Sequence, residues 1–148
     1  MSVAFRRESD EEHLEPKFAI PIPPGPNLVT RAGLALIAVR VAELEASGDQ
    51  EAVKRDLTYW RARLATAQPA PSPPQGRAAF GSRVECLFEG TARAIEIVGS
   101  DEADPARDRI AFTAPLARAL IGAEVGDLVA FAGRVDAIEV TSVTPIEQ

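Results

Sequence analysis

The sequence predicts an α+β protein, an antiparallel helical hairpin followed by an antiparallel β-domain with one short helix, and three observations support this class. Between residues 30 and 67, apolar residues recur at alternating spacings of three and four, the period of an α-helix. From residue 82 onward, runs of alternating apolar and polar residues have the period of a β-strand. A proline-rich stretch separates the two patterns. The predicted boundaries are a tail at 1–29, a hairpin at 30–68, a linker at 69–76 and a β-domain at 77–148.

The tail at residues 1–29 is expected to be disordered. Its acidic cluster, between Glu8 and Glu15, has too few apolar neighbours to build a core. The prolines between Pro21 and Pro26 exclude a helix and favour an extended backbone. A solubilising tail is the favoured interpretation. The alternative is a docking arm anchored by its apolar residues, Phe5, Phe18 and Ile20.

Two helices are predicted between Thr30, which caps the first of them, and Gln68. The break at Gly48 is short, so the helices should be antiparallel neighbours with opposed apolar seams. Each arm has about 17 residues, roughly 25 Å at 1.5 Å per residue. The seam residues are Leu34, Ile37, Val41 and Leu44 on the first helix and Val53, Leu57, Trp60 and Leu64 on the second.

Beyond the linker, which its prolines should make stiff, the alternating runs predict five strands and one helix. Glu89-Gly90 and Gly133-Arg134 are predicted as two-residue hairpin turns. Pro115 suits the first turn of the helix because its missing N–H would have no intrahelical partner there. The strands are expected at about 82–88, 92–98, 109–113, 127–132 and 135–143, and the helix at 115–121.

Composition excludes several classes of function. One cysteine, Cys86, and one histidine, His13, cannot form a disulfide, a metal-ligand set or a catalytic triad. No apolar run approaches the ~20 residues of a membrane span, and the charged N-terminus lacks a signal region, so a cytoplasmic location is expected. The net charge is −6, and residues 77–148 hold seven bases against twelve acids. Such a chain is a poor binder of duplex DNA, so a protein partner and a monomeric state are expected.

Four motifs occur in a fixed order in the second half of the chain. They are Gly81-Ser82-Arg83-Val84, residues 97–104, residues 114–122 and Val125-Gly126-Asp127. The series resembles the C-terminal domain of the GreA/GreB transcript-cleavage factors over about Phe80 to Ile146. The resemblance implies an FKBP-like domain that docks on bacterial RNA polymerase at the rim of its secondary channel. It places the docking surface at Thr113, Ala114, Pro115 and Leu116, with Arg118 one turn further.

The same resemblance gives the hairpin two possible roles. In the family, acids at the hairpin tip help to hold a second Mg²⁺ that activates water for RNA cleavage. Asp49 and Glu51 could do this here, or they could be a helix cap and a first-turn acid. Each arm is around four helical turns shorter than in those factors, roughly 20 Å at 5.4 Å per turn, so the chain is similar in arm length to the Rnk-type regulators.

The expected function is therefore a polymerase-binding regulator that is not an enzyme and needs no cofactor. The first alternative is a cleavage factor that uses Mg²⁺. The least favoured alternative is a prolyl isomerase, because residues 77–148 offer four phenylalanines and neither Trp nor Tyr for an aromatic pocket.

Overall fold

The computed structural model describes residues 19–146, which separate into two compact units. The first unit contains residues 37–66 with the segment up to Gly25, and the second contains residues 26–36 and the chain from Ala67 onward. The acidic cluster of the predicted tail, together with Phe5, Phe18 and His13, lies outside the described residues. No helix within residues 19–146 combines the length and apolar character that crossing a membrane requires.

Strand β1 (Leu28–Val29) precedes the two helices in the sequence and strand β2 (Gln68–Pro69) follows them, and the two strands pair with each other in parallel. The amide of Gln68 donates to the carbonyl of Asn27 at 2.8 Å. This pairing corrects two predicted boundaries, since the end of the expected tail and the start of the expected linker are strands. The residues just before the first helix and just after the second therefore lie next to each other. The pairing joins residues 40 apart, so local patterns could not indicate it.

The two helices are α1 (Arg31–Glu45) and α2 (Glu51–Thr66). Thr30 caps α1, because its Oγ1 accepts a hydrogen bond from the Gly33 amide at 2.9 Å. On α1, Ile37, Val41 and Leu44 of the predicted seam are buried and Leu34 is half-buried. Their spacing gives α1 one continuous apolar stripe, as the period of 3.6 requires.

The seam of α2 differs from the prediction at its C-terminal end. Val53, Leu57 and Trp60 are half-buried, but Leu64 is 37% exposed. Arg63 occupies the buried position instead, with its guanidinium 6.0 Å from the centre of the Tyr59 ring. A long side chain can bury its methylenes while its charge finds a partner, which a pattern of apolar letters does not reveal.

Side chains join α1 to α2 at two points. The Arg61 guanidinium lies 3.0 Å from the Glu45 carboxylate, and that of Arg40 lies 5.6 Å from the centre of the Trp60 ring. The ion pair between Glu45 and Arg61 joins the last residue of α1 to a residue in the second half of α2. This contact was not part of the predicted apolar seam, in which Leu44 lies opposite Val53.

The β-domain contains five strands and one short helix. The strands are β3 (Ser82–Phe88), β4 (Thr91–Val98), β5 (Arg109–Ala111), β6 (Leu128–Phe131) and β7 (Arg134–Pro145), and the helix is α3 (Pro115–Leu120). The strands form one sheet in the order β5-β4-β3-β7-β6. The prediction of a wholly antiparallel sheet is wrong at one pair, because β5 runs parallel to β4. The intervening loop, which includes a short 3₁₀ helix at Pro105–Arg107, carries the chain back before β5 begins.

Both hairpin turns of the sheet use left-handed backbone. Glu89 and Gly90, with φ of 49° and 87°, connect β3 to β4 as predicted. The other turn lies one residue earlier than predicted, at Ala132 and Gly133, with φ of 53° and 81°. Arg134 pairs with Phe131 as the first residue of β7 and is therefore not available to the turn.

One face of the sheet and α3 together enclose the core. On β3, Val84 and Cys86 are buried while Glu85 and Leu87 are exposed, so the strand has one buried and one open face. Ala117 and Leu120 of α3 are fully buried in the same cluster. The open face of the sheet therefore lies opposite the face that holds α3. Other core members are Ala78, Ile95, Ile97, Ala123, Ala137, Ile138, Val140 and Val143.

The stretch predicted as a linker is tied to the β-domain. The amide of Ala70 donates to the Val29 carbonyl at 3.2 Å, and that of Gly76 donates to the Val143 carbonyl at 3.0 Å. Residues 69–76 thus belong to the second unit and are not a free spacer. Prolines have no N–H, so the few amides of this stretch supply its contacts.

Candidate functional site

The loop between β5 and α3 is held from beneath by the core. The Phe112 amide donates to the Val98 carbonyl and the Ala114 amide to the Ala111 carbonyl, both at 2.9 Å. The Phe112 ring packs edge-on against Phe80, with ring centres 5.4 Å apart. Exposed residues on such a fixed base can contact a partner without first being ordered.

The predicted docking residues surround this loop. Thr113, Pro115 and Arg118 are exposed, whereas Ala114 and Leu116 are half-buried. Pro115 is the first residue of α3, and Ala114 precedes it with no side-chain cap. Arg118 forms no ion pair with any residue between 19 and 146. The loop thus presents a small apolar surface next to the Arg118 guanidinium, which has no ion pair within residues 19–146.

The acidic turn after β4 holds a buried carboxylate that the sequence did not single out. The Glu102 side chain is 3% exposed, and its Oε1 accepts a hydrogen bond from the Thr30 hydroxyl at 2.5 Å. Its Oε2 lies 3.5 Å from the Arg109 guanidinium, whose Nε donates to Glu96 at 3.1 Å. This network ties the cap of α1 to the edge of the sheet.

Two glycines make room for these contacts. A Cβ added to Gly33 would lie 2.7 Å from the Glu102 carboxylate. A Cβ added to Gly99 would lie 2.4 Å from the Leu28 carbonyl oxygen. Neither glycine has the positive φ that marks a turn, so a close approach of other atoms is the reason for each. Thr30 and the motif at residues 97–104 stand out in the sequence, but no local pattern indicates that these two parts of the chain meet.

Both predicted metal-positioning acids, near the connection between α1 and α2, are at the surface. Asp49 lies in the connection between the helices, and Glu51 is the exposed first residue of α2. Residues 19–146 contain no group of three or more His, Cys, Asp or Glu side chains arranged to hold a metal ion.

Three arginines on the helices pair with acids of the same unit. Arg61 pairs with Glu45 at 3.0 Å and Arg40 with Glu43 at 3.3 Å. Arg55 lies 3.8 Å from Asp56. Exposed pairs such as these contribute little to stability and are easily exchanged for other partners.

Cys86 is a core residue and not a nucleophile. Its side chain is buried between β4 and β7, where burial raises the pKa of the thiol. The Arg93 guanidinium lowers the same pKa by a smaller amount, and the Asp108 carboxylate raises it slightly. A neutral, enclosed thiol has little reactivity at physiological pH.

Comparison with known proteins gives one family. Residues 73–145 match the model described as "Transcription elongation factor, GreA/GreB, C-term". This segment comprises the whole five-stranded sheet, α3 and the loop that precedes it. The β-domain of this chain is therefore a C-terminal domain of the GreA/GreB type.

Curated relatives agree with this assignment. A transcription elongation factor GreA of Alkalilimnicola ehrlichii is 37% identical over 94 residues, which cover 60% of each chain. The GreA of Sinorhizobium medicae is 50% identical over 50 residues, 32% of each chain. The chain thus spans about 60% or less of the length of these relatives.

Among solved structures, Gfh1 of Thermus aquaticus matches with a TM-score of 0.42 at 20% identity, over 82% of this chain and 99% of that one. The elongation factor GreA/GreB of Nitrosomonas europaea gives the same values.

Proposed function

We propose that this protein is a regulator that binds bacterial RNA polymerase at the rim of its secondary channel through residues 113–118. The match of the family model to the β-domain carries the proposal, because this domain presents the loop. We further propose that the protein does not stimulate RNA cleavage. On this proposal it is a cytoplasmic monomer and not an enzyme, and it binds neither duplex DNA nor a cofactor.

The chemistry of the loop supports a protein partner. Pro115 and Leu116 provide apolar contact, and Arg118 provides a cation that has no ion pair of its own among residues 19–146. The buried side chains beneath, Ala117 and Leu120, fix the helix that holds these groups. A small apolar centre beside one free charge is a common composition for a docking site between proteins.

The lengths of the helices support a role without cleavage. At 15 and 16 residues, they are about 22–24 Å long with a rise of 1.5 Å per residue. A tip carboxylate that held Mg²⁺ would have to come within ~2.0–2.1 Å of the ion. The proposed short hairpin ends well before that point if it starts at the same rim as its longer relatives. The cleavage alternative remains of interest because Asp49 and Glu51 are both exposed and free to contact a metal.

The docking surface is tested by titrating purified polymerase with the double variant Thr113→Arg, Pro115→Arg. We expect at least tenfold weaker binding with an unchanged circular dichroism spectrum. The matched control is Gln75→Arg with Ala106→Arg, which adds the same two charges at exposed positions of the same domain outside the loop. Equal affinity of the wild type and the loop variant would refute the assignment.

The absence of cleavage is tested in backtracked elongation complexes. We expect no stimulation of cleavage by the wild type, and competition with a GreA-type factor for the polymerase. Replacing Asp49 and Glu51 by alanine should leave that competition intact. Cleavage by the wild type that disappears in the double variant would establish the Mg²⁺ alternative instead.

The proposal includes the finer classification of the β-domain as FKBP-like and of the helical segment as a short coiled-coil hairpin. Prolyl isomerisation is the least favoured function. The phenylalanines of the domain, Phe80, Phe88, Phe112 and Phe131, pack against one another in two edge-on pairs. A chymotrypsin-coupled isomerase assay would test it directly.

A further inference from the structure

A row of exposed side chains crosses the open face of the β-sheet. Leu87 of β3 lies opposite Glu139 of β7, which in turn lies opposite Leu128 of β6. Ala92 of β4 extends the row on the other side of Leu87. Leu87, on the central strand, is 36% exposed, and Leu128, on an edge strand, is 57% exposed. We call Ala92, Leu87, Glu139 and Leu128 the outer row.

The carboxylate at the centre of the outer row has no partner within the part of the chain that the structure describes. Glu139 is exposed, and among residues 19–146 its side chain makes neither an ion pair nor a hydrogen bond. Its nearest cross-strand neighbours are the two leucines, which cannot pair with it. Some exposed acids of the domain do find cations, as Glu89 does with Arg134 at 2.7 Å, whereas Glu124 and Asp136 have no ion pair among residues 19–146.

The spacing of the row suits one inserted side chain. Neighbouring strands are about 4.8 Å apart, so Leu87 and Leu128 are separated by roughly 10 Å with the carboxylate between them. A shallow depression of about 310 Å³ adjoins the row on the same face, with Leu87 and Ala92 in its lining. Its lining also contains Arg83 and Arg93, whose charges are paired with carboxylates of the domain. A lysine or arginine could place its methylenes against the leucines and its charge on Glu139.

We propose that the outer row is a second protein-docking surface, for a partner segment that carries a basic residue flanked by apolar ones. The domain holds seven bases against twelve acids, so nucleic acid and anionic membrane are repelled by it. A second copy of the chain would bring two unpaired carboxylates together and is disfavoured for the same reason. Since α3 packs on the opposite face of the sheet, the outer row and residues 113–118 are open to different partners at once.

The test uses a defined probe, a fluorescein-labelled peptide of alternating leucine and lysine, measured by fluorescence anisotropy against the full chain. We expect saturable binding that Glu139→Lys weakens at least tenfold, and that Leu87→Ser with Leu128→Ser weakens similarly. Glu124→Lys makes the same charge change at an exposed acid outside the row and should alter the affinity less than twofold. A peptide with glutamate in place of lysine should not bind.

Nuclear magnetic resonance then locates the contact. Shift changes centred on Leu87, Glu139 and Leu128 support the proposal. Equal weakening by Glu139→Lys and Glu124→Lys would reveal general attraction to an acidic surface and overturn it. Shift changes confined to residues 113–118, or no binding at millimolar peptide, would also overturn it. Self-association in sedimentation that Leu128→Ser abolishes would assign the face to a second copy instead. Loss of polymerase binding in the loop variant leaves this result unaffected, so the two proposals fail separately.

Discussion

Removal of the buried carboxylate Glu102 should destabilise the β-domain strongly for a single change in a loop. In Glu102→Ala the Thr30 hydroxyl, on a residue 3% exposed, loses its acceptor. A buried donor left without a partner costs about 1–3 kcal/mol. The lost pair with Arg109 adds at most about 1 kcal/mol, because Arg109 is 32% exposed and keeps Glu96 as a partner. The expected loss is therefore about 1–4 kcal/mol.

Glu102→Gln separates the two contributions. The amide oxygen can still accept the hydrogen bond from Thr30, so only the ion pair is lost, and the expected cost is about 1 kcal/mol or less. Glu85→Ala is the matched control, an exposed acid on β3 whose carboxylate lies 3.7 Å from Arg83. Its cost should stay within about 0.5 kcal/mol.

Urea unfolding followed by far-UV circular dichroism, in the range dominated by the sheet, measures these differences. A double-mutant cycle with Gly33→Ala adds a geometric test, because the added Cβ would lie 2.7 Å from the Glu102 carboxylate. Gly33→Ala should be destabilising in the wild type and less so in Glu102→Ala, with a coupling of about 1–2 kcal/mol. A Glu102→Ala variant as stable as the Glu85→Ala control, or a cycle without coupling, would refute the network.

Three further outcomes are expected. Gly99→Ala should cost about 2 kcal/mol or more in the same urea titration, because the added Cβ would overlap the Leu28 carbonyl oxygen, while Gly99 has no positive φ that would add a backbone cost. Trp60→Ala should cost about 1.5–3 kcal/mol, because the ring is half-buried and stacked by Arg40, and a loss under about 0.5 kcal/mol would mean that it contributes no packing. Burial raises the pKa of the Cys86 thiol above its ordinary value of 9.0, so the unfolded chain ionises first as the pH rises. The stability that the neutral thiol contributes below about pH 9 should therefore be lost at higher pH. Unfolding titrations at alkaline pH should show that loss in the wild type and not in Cys86→Val.

Local patterns determined most of the elements. Alternation placed β3 within the range later observed, and it placed β4 and β6 within a residue or two. Pro115 fixed the start of α3, and the Glu89-Gly90 pair fixed one hairpin turn. These features depend on residues that are neighbours in the chain, so a period or a backbone preference is enough to reveal them.

Contacts between distant residues were decided only by the tertiary structure. The hydrogen bond from Thr30 to Glu102 spans 72 positions, and the parallel pairing of β1 with β2 spans 40. Two charged residues are buried among partners that a pattern of apolar letters does not indicate: Arg63 contacts the Tyr59 ring, and Glu102 accepts a hydrogen bond from Thr30. The outer row likewise exists because the register of three strands sets two leucines on either side of one glutamate. A sequence fixes which face a residue occupies along its own strand, but only packing brings its neighbours on that face together.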